Sequence, residues 1–296
     1  MPRGVMSAAF AVVLVAGGAG ACGGDGGSGS GKGEPSGVTP ATAVAEAAAN
    51  SADITSLHYR ITGTVPETGR LEADAFMRTD PPAMSTEMST AGQDGDGPLP
   101  VRFVDEVMYV GKAVRGKRWF RADPAGWGGL TVDNDSYGVL PRQLESSPVV
   151  QSTLLTGSRD VRVVGTETVD GTRTTHYRGT VTSGSLRAAR DAAPDEATRE
   201  RLVECLDQFM GLRTPDTLTM DLWIDGDNRA KRFRWQARID GVRTGTGTGG
   251  GAGAGAGGGP LDLTVTFLDI DRPVTIEAPP AEDTAALPDA AQEGGA

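Results

Sequence analysis

Cysteine and histidine are nearly missing from this chain of 296 residues, at two each. Two cysteines build neither a disulfide framework nor a four-cysteine zinc site. His58 and His176 leave little material for His-based metal ligation or acid–base catalysis. Positive charge is also short: a net charge of -11 excludes the clustered basic surface that neutralises nucleic-acid phosphates. Lysine is rarer still, four residues against 24 arginines, which points to a GC-rich genome rather than a function. No hydrophobic run reaches the ~20 residues that cross a bilayer as a helix. Aromatics make up only 5% of the chain, and 14 of the 15 lie between Tyr59 and Phe267. Glycine does the opposite. Of 43 glycines, four lie in 1–21, eight in 23–37, ten in 245–259 and two at 294–295, which leaves 19 for the remainder, close to the ~7% of ordinary proteins. Those distributions describe one globular body flanked and interrupted by Gly-rich segments, long enough for a single sizeable core.

The N-terminus has three parts. Arg3 precedes an apolar run from Val5 to Val15, and small residues follow as far as Ala21. This is the layout of a secretory signal peptide, residues 1–21. The order Ala19-Gly20-Ala21-Cys22 resembles a bacterial lipobox, with Ala19 where leucine is usual. In a lipobox the cysteine thiol takes a diacylglyceryl group, whose palmitate-type chains anchor the protein, and the cysteine becomes the new N-terminus. Cys22 is therefore the expected lipidation site; the alternative is a secreted protein cut after Ala21, with Cys22 incidental. Residues 22–38 then read as a flexible tether with a root-mean-square span of roughly 20–25 Å. Two acyl chains, at ~0.8 kcal/mol per buried methylene, make a stable anchor where one is marginal. Cys205 recurs with Leu202, Leu206 and Phe209 at helical spacing and is expected to be a small buried thiol.

The body, residues 39–280, reads as alternating strands with three helical interruptions. Thr39-Pro40 opens a helix to Asn50, Ser147-Pro148 opens one to Leu155, and 186–210 is helical with a break at Pro194. Leu57, Tyr59 and Ile61 alternate against Ser56, His58, Arg60 and Thr62, and Leu71, Ala73, Ala75 and Met77 repeat the pattern. Further strand-like runs lie at 84–88, 101–110 and 117–121. Val161–Thr168 and Thr172–Val181 flank Asp170-Gly171, a hairpin signal. Leu218, Met220, Leu222 and Ile224 alternate, as do Phe233, Trp235, Ala237 and Ile239, then Leu261, Leu263, Val265 and Phe267. Short connections predict an antiparallel meander, with 245–259 as a flexible Gly/Ala-rich loop between paired strands and 281–296 as a disordered tail.

Several segments resemble the actinobacterial LppX/LprG-type lipoproteins, which have a LolA-like half-barrel. They are Val164–Gly171 followed by His176-Tyr177, Leu222-Trp223-Ile224-Asp225, and Arg272-Pro273-Val274-Thr275-Ile276-Glu277-Ala278-Pro279. The order of lipobox, tether, helix, meander, Trp119 strand, helix, hairpin, helix and strands fits as well, over residues 40–280. Arg272, where the family tends to a small residue, and the 245–259 run are departures. The resemblance implies an α+β fold, a strongly curved antiparallel sheet forming an incomplete barrel, with helices packed on the concave face. It also implies a space between the layers that holds lipid or lipoglycan acyl chains, as it does in several members.

Chemistry-bearing motifs are weak. Asp133-Asn134-Asp135-Ser136-Tyr137-Gly138 opens like a calcium loop, but the twelfth position is Leu144, with Glu145 one residue late, so a polar loop is the better reading. Gly245-Thr246-Gly247-Thr248-Gly249-Gly250 matches G-x-G-x-x-G, with no helix following to receive a phosphate. His58 reads as a solvated strand residue and His176 as structural; Trp119-Phe120 and Trp223 read as core. No nucleophile or acid–base constellation appears, so the expectation is a non-enzyme with no catalytic residues, no metal and no cofactor. The sequence predicts a lipoprotein on the extracytoplasmic face of the cell membrane that binds or carries an apolar ligand through residues it does not identify. The alternative is a surface interaction or sensor lipoprotein with a collapsed cavity and a protein partner.

Overall fold

The short apolar-polar alternations assemble into one sheet. In a computed structural model, describing residues 38–66, 69–91, 97–105, 107–113, 115–122, 147–211, 216–239 and 259–286, twelve strands form a single curved, unclosed sheet. An α+β fold with a curved, mostly antiparallel sheet is what the sequence predicts. The first meander holds β1 (Ser56–Val65), β2 (Gly69–Thr79), β3 (Pro82–Thr90), β4 (Leu99–Val104), β5 (Val107–Val110) and β6 (Trp119–Ala122). The second holds β7 (Arg162–Val169), β8 (Thr172–Thr182), β9 (Thr217–Asp225), β10 (Ala230–Ile239) and β11 (Gly259–Ile270). The two halves join along an antiparallel seam between β1 and β11. A final short strand, β12 (Thr284–Ala286), lies parallel to β6.

Two expectations need correction. The run 101–110 is not one strand: it turns back at Asp105, whose φ of 51° is a left-handed conformation that short polar residues tolerate. Residues 281–286, placed by the sequence in a disordered tail over 281–296, form a 3-10 turn (Ala281–Asp283) and β12, and 287–296 lie outside the described residues. Its backbone is used: Lys117 Nζ donates to Glu282 O at 2.5 Å, and β6 gains a neighbour. Three residues with one apolar-polar step are too few to register as a strand by pattern. The signal peptide, most of the tether including Cys22, the calcium-like loop and most of 245–259 lie outside the described residues. The strands on either side of 245–259 do pair, with Trp235 opposite Leu263.

Two helices begin at the caps read from the sequence, and the helical region expected from 186 begins three residues earlier, at Ser183. Thr39 Oγ1 accepts from Thr42 N at 3.2 Å and starts α1 (Pro40–Asn50). Ser147 caps α2 (Pro148–Ser152), which runs into a 3-10 turn at Leu154–Gly157. A reciprocal capping box between Thr182 and Ser185 turns β8 directly into α3 (Ser183–Asp191). Asp195 Oδ1 accepts from Thr198 N at 2.7 Å at the start of α4 (Glu196–Gly211). α1, α2, α3 and the 3-10 turn pack on β7 to β10, and α4 packs on α2, α3 and the turn. After β11 the chain crosses the other face of the sheet: Ser56 Oγ donates to Arg272 O, and Ile276 packs on Ala83 and Val104.

Candidate functional site

Strand register turns the alternating pattern into two surfaces of different chemistry. On the concave face, side chains directly opposite one another form rows. One runs Ile270, Leu57, Met77, Met84, Phe103, Met108; the next runs Phe267, Tyr59, Ala75, Thr86, Val101, Val110, Phe120. The first of these rows is wholly apolar, and its methionines are unbranched, polarisable and adaptable in shape. The two polar groups of the second are spent internally: Tyr59 OH donates to Met84 Sδ at 3.2 Å, and Thr86 Oγ1 to Asp74 O at 3.1 Å. Burial raises the Tyr59 phenol far above its ordinary range, so it stays neutral.

The helical half is closely packed. Leu154, Leu155 and Leu186 meet Leu218, Met220 and Phe233, all fully buried. Cys205 lies there as expected, its Sγ 2.9 Å from Thr153 Oγ1. Burial pushes its thiol up to about 11, which leaves almost no thiolate at neutral pH. Trp235, on the concave face and only 1% exposed, has an indole N–H with no acceptor. A buried donor without a partner is uncommon in a folded protein.

The convex face is ionic. His176 stacks on Trp223 with ring centroids 4.2 Å apart. Its Nδ1 lies 2.9 Å from Glu167 Oε1 and its Nε2 2.6 Å from Asp221 Oδ1. Asp221 is fully buried and also accepts from Arg178 Nε at 2.6 Å. Both ring nitrogens are thus occupied, which makes this cluster a cross-strand brace over β7, β8 and β9 rather than an acid–base centre. His58 is not the solvated residue its alternation implied. It stacks on Phe76 at 4.1 Å with Nε2 2.9 Å from Asp74 Oδ1, because both partners stand on the neighbouring strand β2. Trp223 and Trp119 are buried on this convex face, under Arg232 and Arg102 respectively, while Phe120 belongs to the concave core. A shallow cleft of about 240 Å³ opens between Ser85, Arg102 and the Thr275–Glu277 segment. Among the described residues no cluster of three or more His, Cys, Asp or Glu could hold a metal ion, and no helix is long and apolar enough to cross a membrane.

The concave face is thus an apolar core, and ion pairs and hydrogen bonds hold neighbouring strands together on the convex face. The chain is similar to the mycobacterial lipoproteins LppX and LprF. LppX of Mycobacterium tuberculosis is 15% identical, with a TM-score of 0.45 over 80% of this chain and 98% of its own. LprF of Mycobacterium bovis is 13% identical, with a TM-score of 0.47 over 81% and 96%. An uncharacterized 31.2 kDa protein from the rplA–rplJ intergenic region of Streptomyces griseus is 28% identical over 226 residues, 72% of this chain. The match spans 64% of the length of that relative. No family model matches the chain.

The methionine and aromatic rows of the concave face are not visible to sequence reading. The signal that finds them is register: Met77 faces Met84 across the β2–β3 hairpin, and Met108 joins their row through Phe103 only when β4 and β5 are paired.

Proposed function

We propose that this chain is a lipid-anchored extracytoplasmic lipoprotein, tethered at Cys22 and residues 22–38, whose concave face binds or carries lipid or lipoglycan acyl chains. The observation that carries this reading is the apolar concave face, with Met77, Met84, Phe103 and Met108 in one register row. Flexible methionines re-pack around chains of varying length, which a rigid aliphatic wall resists. The unpartnered N–H of Trp235 adds a donor that an ester carbonyl satisfies. The lipobox resemblance at Cys22 supports the anchor. The occupied ring nitrogens of His176 support a role in binding rather than catalysis.

A second reading is favoured by the tight packing of Leu154, Leu155 and Leu186 under the sheet. In it the interior stays collapsed and the molecule is a non-enzymatic surface interaction or sensor module for a protein partner. One experiment separates the two. The Cys22→Ala chain, secreted by its native host, is examined by native mass spectrometry and by lipid extraction. Co-purifying acyl lipid, and uptake of a fluorescent fatty acid after delipidation, are the expected results. Bare protein that takes up no fatty acid sinks the carrier reading. For the anchor, Cys22→Ala should release the protein to the medium; retention at the membrane counts against lipidation.

A further inference from the structure

The sheet ends differently on its two sides. On one side β12 shields β6 with three residues of pairing. On the other β7 presents eight residues, and β8 is its single neighbour among the described strands. Six of those eight residues are exposed, including Val163 at 52% and Val164 at 48%. An open edge is a template for another strand, and bulges or charges ordinarily protect it. β7 has both: a bulge between Val163 and Gly165, with Arg162 on one side and Glu167 on the other.

The bulge has a consequence for those charges. In a regular strand, residues five positions apart point to opposite faces. Here Arg162 pairs with Arg178, Gly165 with His176 and Glu167 with Thr174. Those three partners alternate along β8 on one face, so the extra residue brings Arg162 and Glu167 to the same, convex face. A two-fold antiparallel pairing of β7 with itself then sets Arg162 of each copy opposite Glu167 of the other. It also sets Val163 opposite Thr166, and Val164 opposite Gly165. Two opposite-charge cross-strand pairs form, and both exposed valines are covered. Glu167 is exposed and holds His176 through Oε1, so its second oxygen is available to the arginine.

We propose that two copies of this chain associate edge to edge through β7, in this register, to make a continuous sheet across the pair. A contact of one strand on each side falls short of the ~1,200 Å² of a stable interface, so the dimer is weak and reversible. The test is sedimentation equilibrium over a range of concentrations on the full chain carrying Cys22→Ala, which leaves no anchor to cause association. A monomer–dimer equilibrium is expected. Arg162→Glu or Glu167→Arg alone should weaken it about tenfold or more, and the two together should restore it. Val164→Lys, at an exposed position that leaves the core untouched, should abolish it, with circular dichroism confirming that each variant folds. A chain that is monomeric at every concentration overturns the proposal. So does a dimer indifferent to the single charge reversals, or a double reversal no better than either alone.

Discussion

Asp160 shows how much a single exposed side chain can be asked to do. Thr180 N–H donates to its Oδ1 at 2.6 Å, Ser158 Oγ to the same oxygen at 2.7 Å and Thr180 Oγ1 to Oδ2 at 3.0 Å. The Thr180 amide first, then the Ser158 hydroxyl, holds this carboxyl below the usual range. A folded-state value below the unfolded one means that the stabilisation is present above the unfolded value, near ~3.9. It is lost as pH falls through the folded value. Thermal melts should therefore show the native chain losing stability below about pH 4 more steeply than Asp160→Asn, which starts lower at neutral pH. Parallel curves for the two proteins would mean that these hydrogen bonds do not discriminate the charged form. Glycine carries a comparable burden at position 63. Its φ is 151°, and a β-carbon there would stand 1.9 Å from Asp262 O, so the residue is dictated by close approach of two backbones.

At the scale of elements, the C-terminal segment carries the most consequence for its length. It leaves β11, lays Ile276 on Ala83 and Val104, receives a hydrogen bond from Arg102 at Glu277 O and ends as β12. Ending the chain after Pro280 removes the Lys117 contact and reopens the edge of β6. The melting temperature should drop and aggregation on heating should rise relative to the full chain; an unchanged melt would show that the strap adds nothing. Helix positions were legible in the sequence because caps are local: Thr39-Pro40, Ser147-Pro148 and the Pro194 break are read within a few residues. The Asp170-Gly171 hairpin was legible for the same reason, with φ of 48° and 76° in place. The turn at Asp105 was not, since its apolar flanks read as one run. Nor were the partners of His176, because Glu167 and Asp221 reach it from two different strands. What the concave face offers a ligand stayed hidden likewise, since rows across a sheet exist only after pairing.

At the scale of the whole molecule, the β1–β11 seam joins the two meanders, and the C-terminal strap crosses back over the first. Eight register pairs join β1 to β11, from Leu57 opposite Ile270 to Thr64 opposite Asp262. Gly63→Ala strikes that seam, and urea unfolding should register a loss of about 3 kcal/mol; an unmoved midpoint would mean that the seam yields cheaply. The seam also imposes an order in time. Every other antiparallel pair in the sheet joins strands adjacent in the chain, apart from β8 and β9, which α3 and α4 separate. The first half can zip as it is made, since short loops cost little to close, while β8–β9 and β10–β11 close over longer segments. The union of Leu57 with Ile270 must wait until nearly the last residues arrive. Non-local pairing of this kind slows folding, so the first meander spends that interval with its β1 edge bare. A protein built in this way is most vulnerable not when finished but while the second half is still on its way.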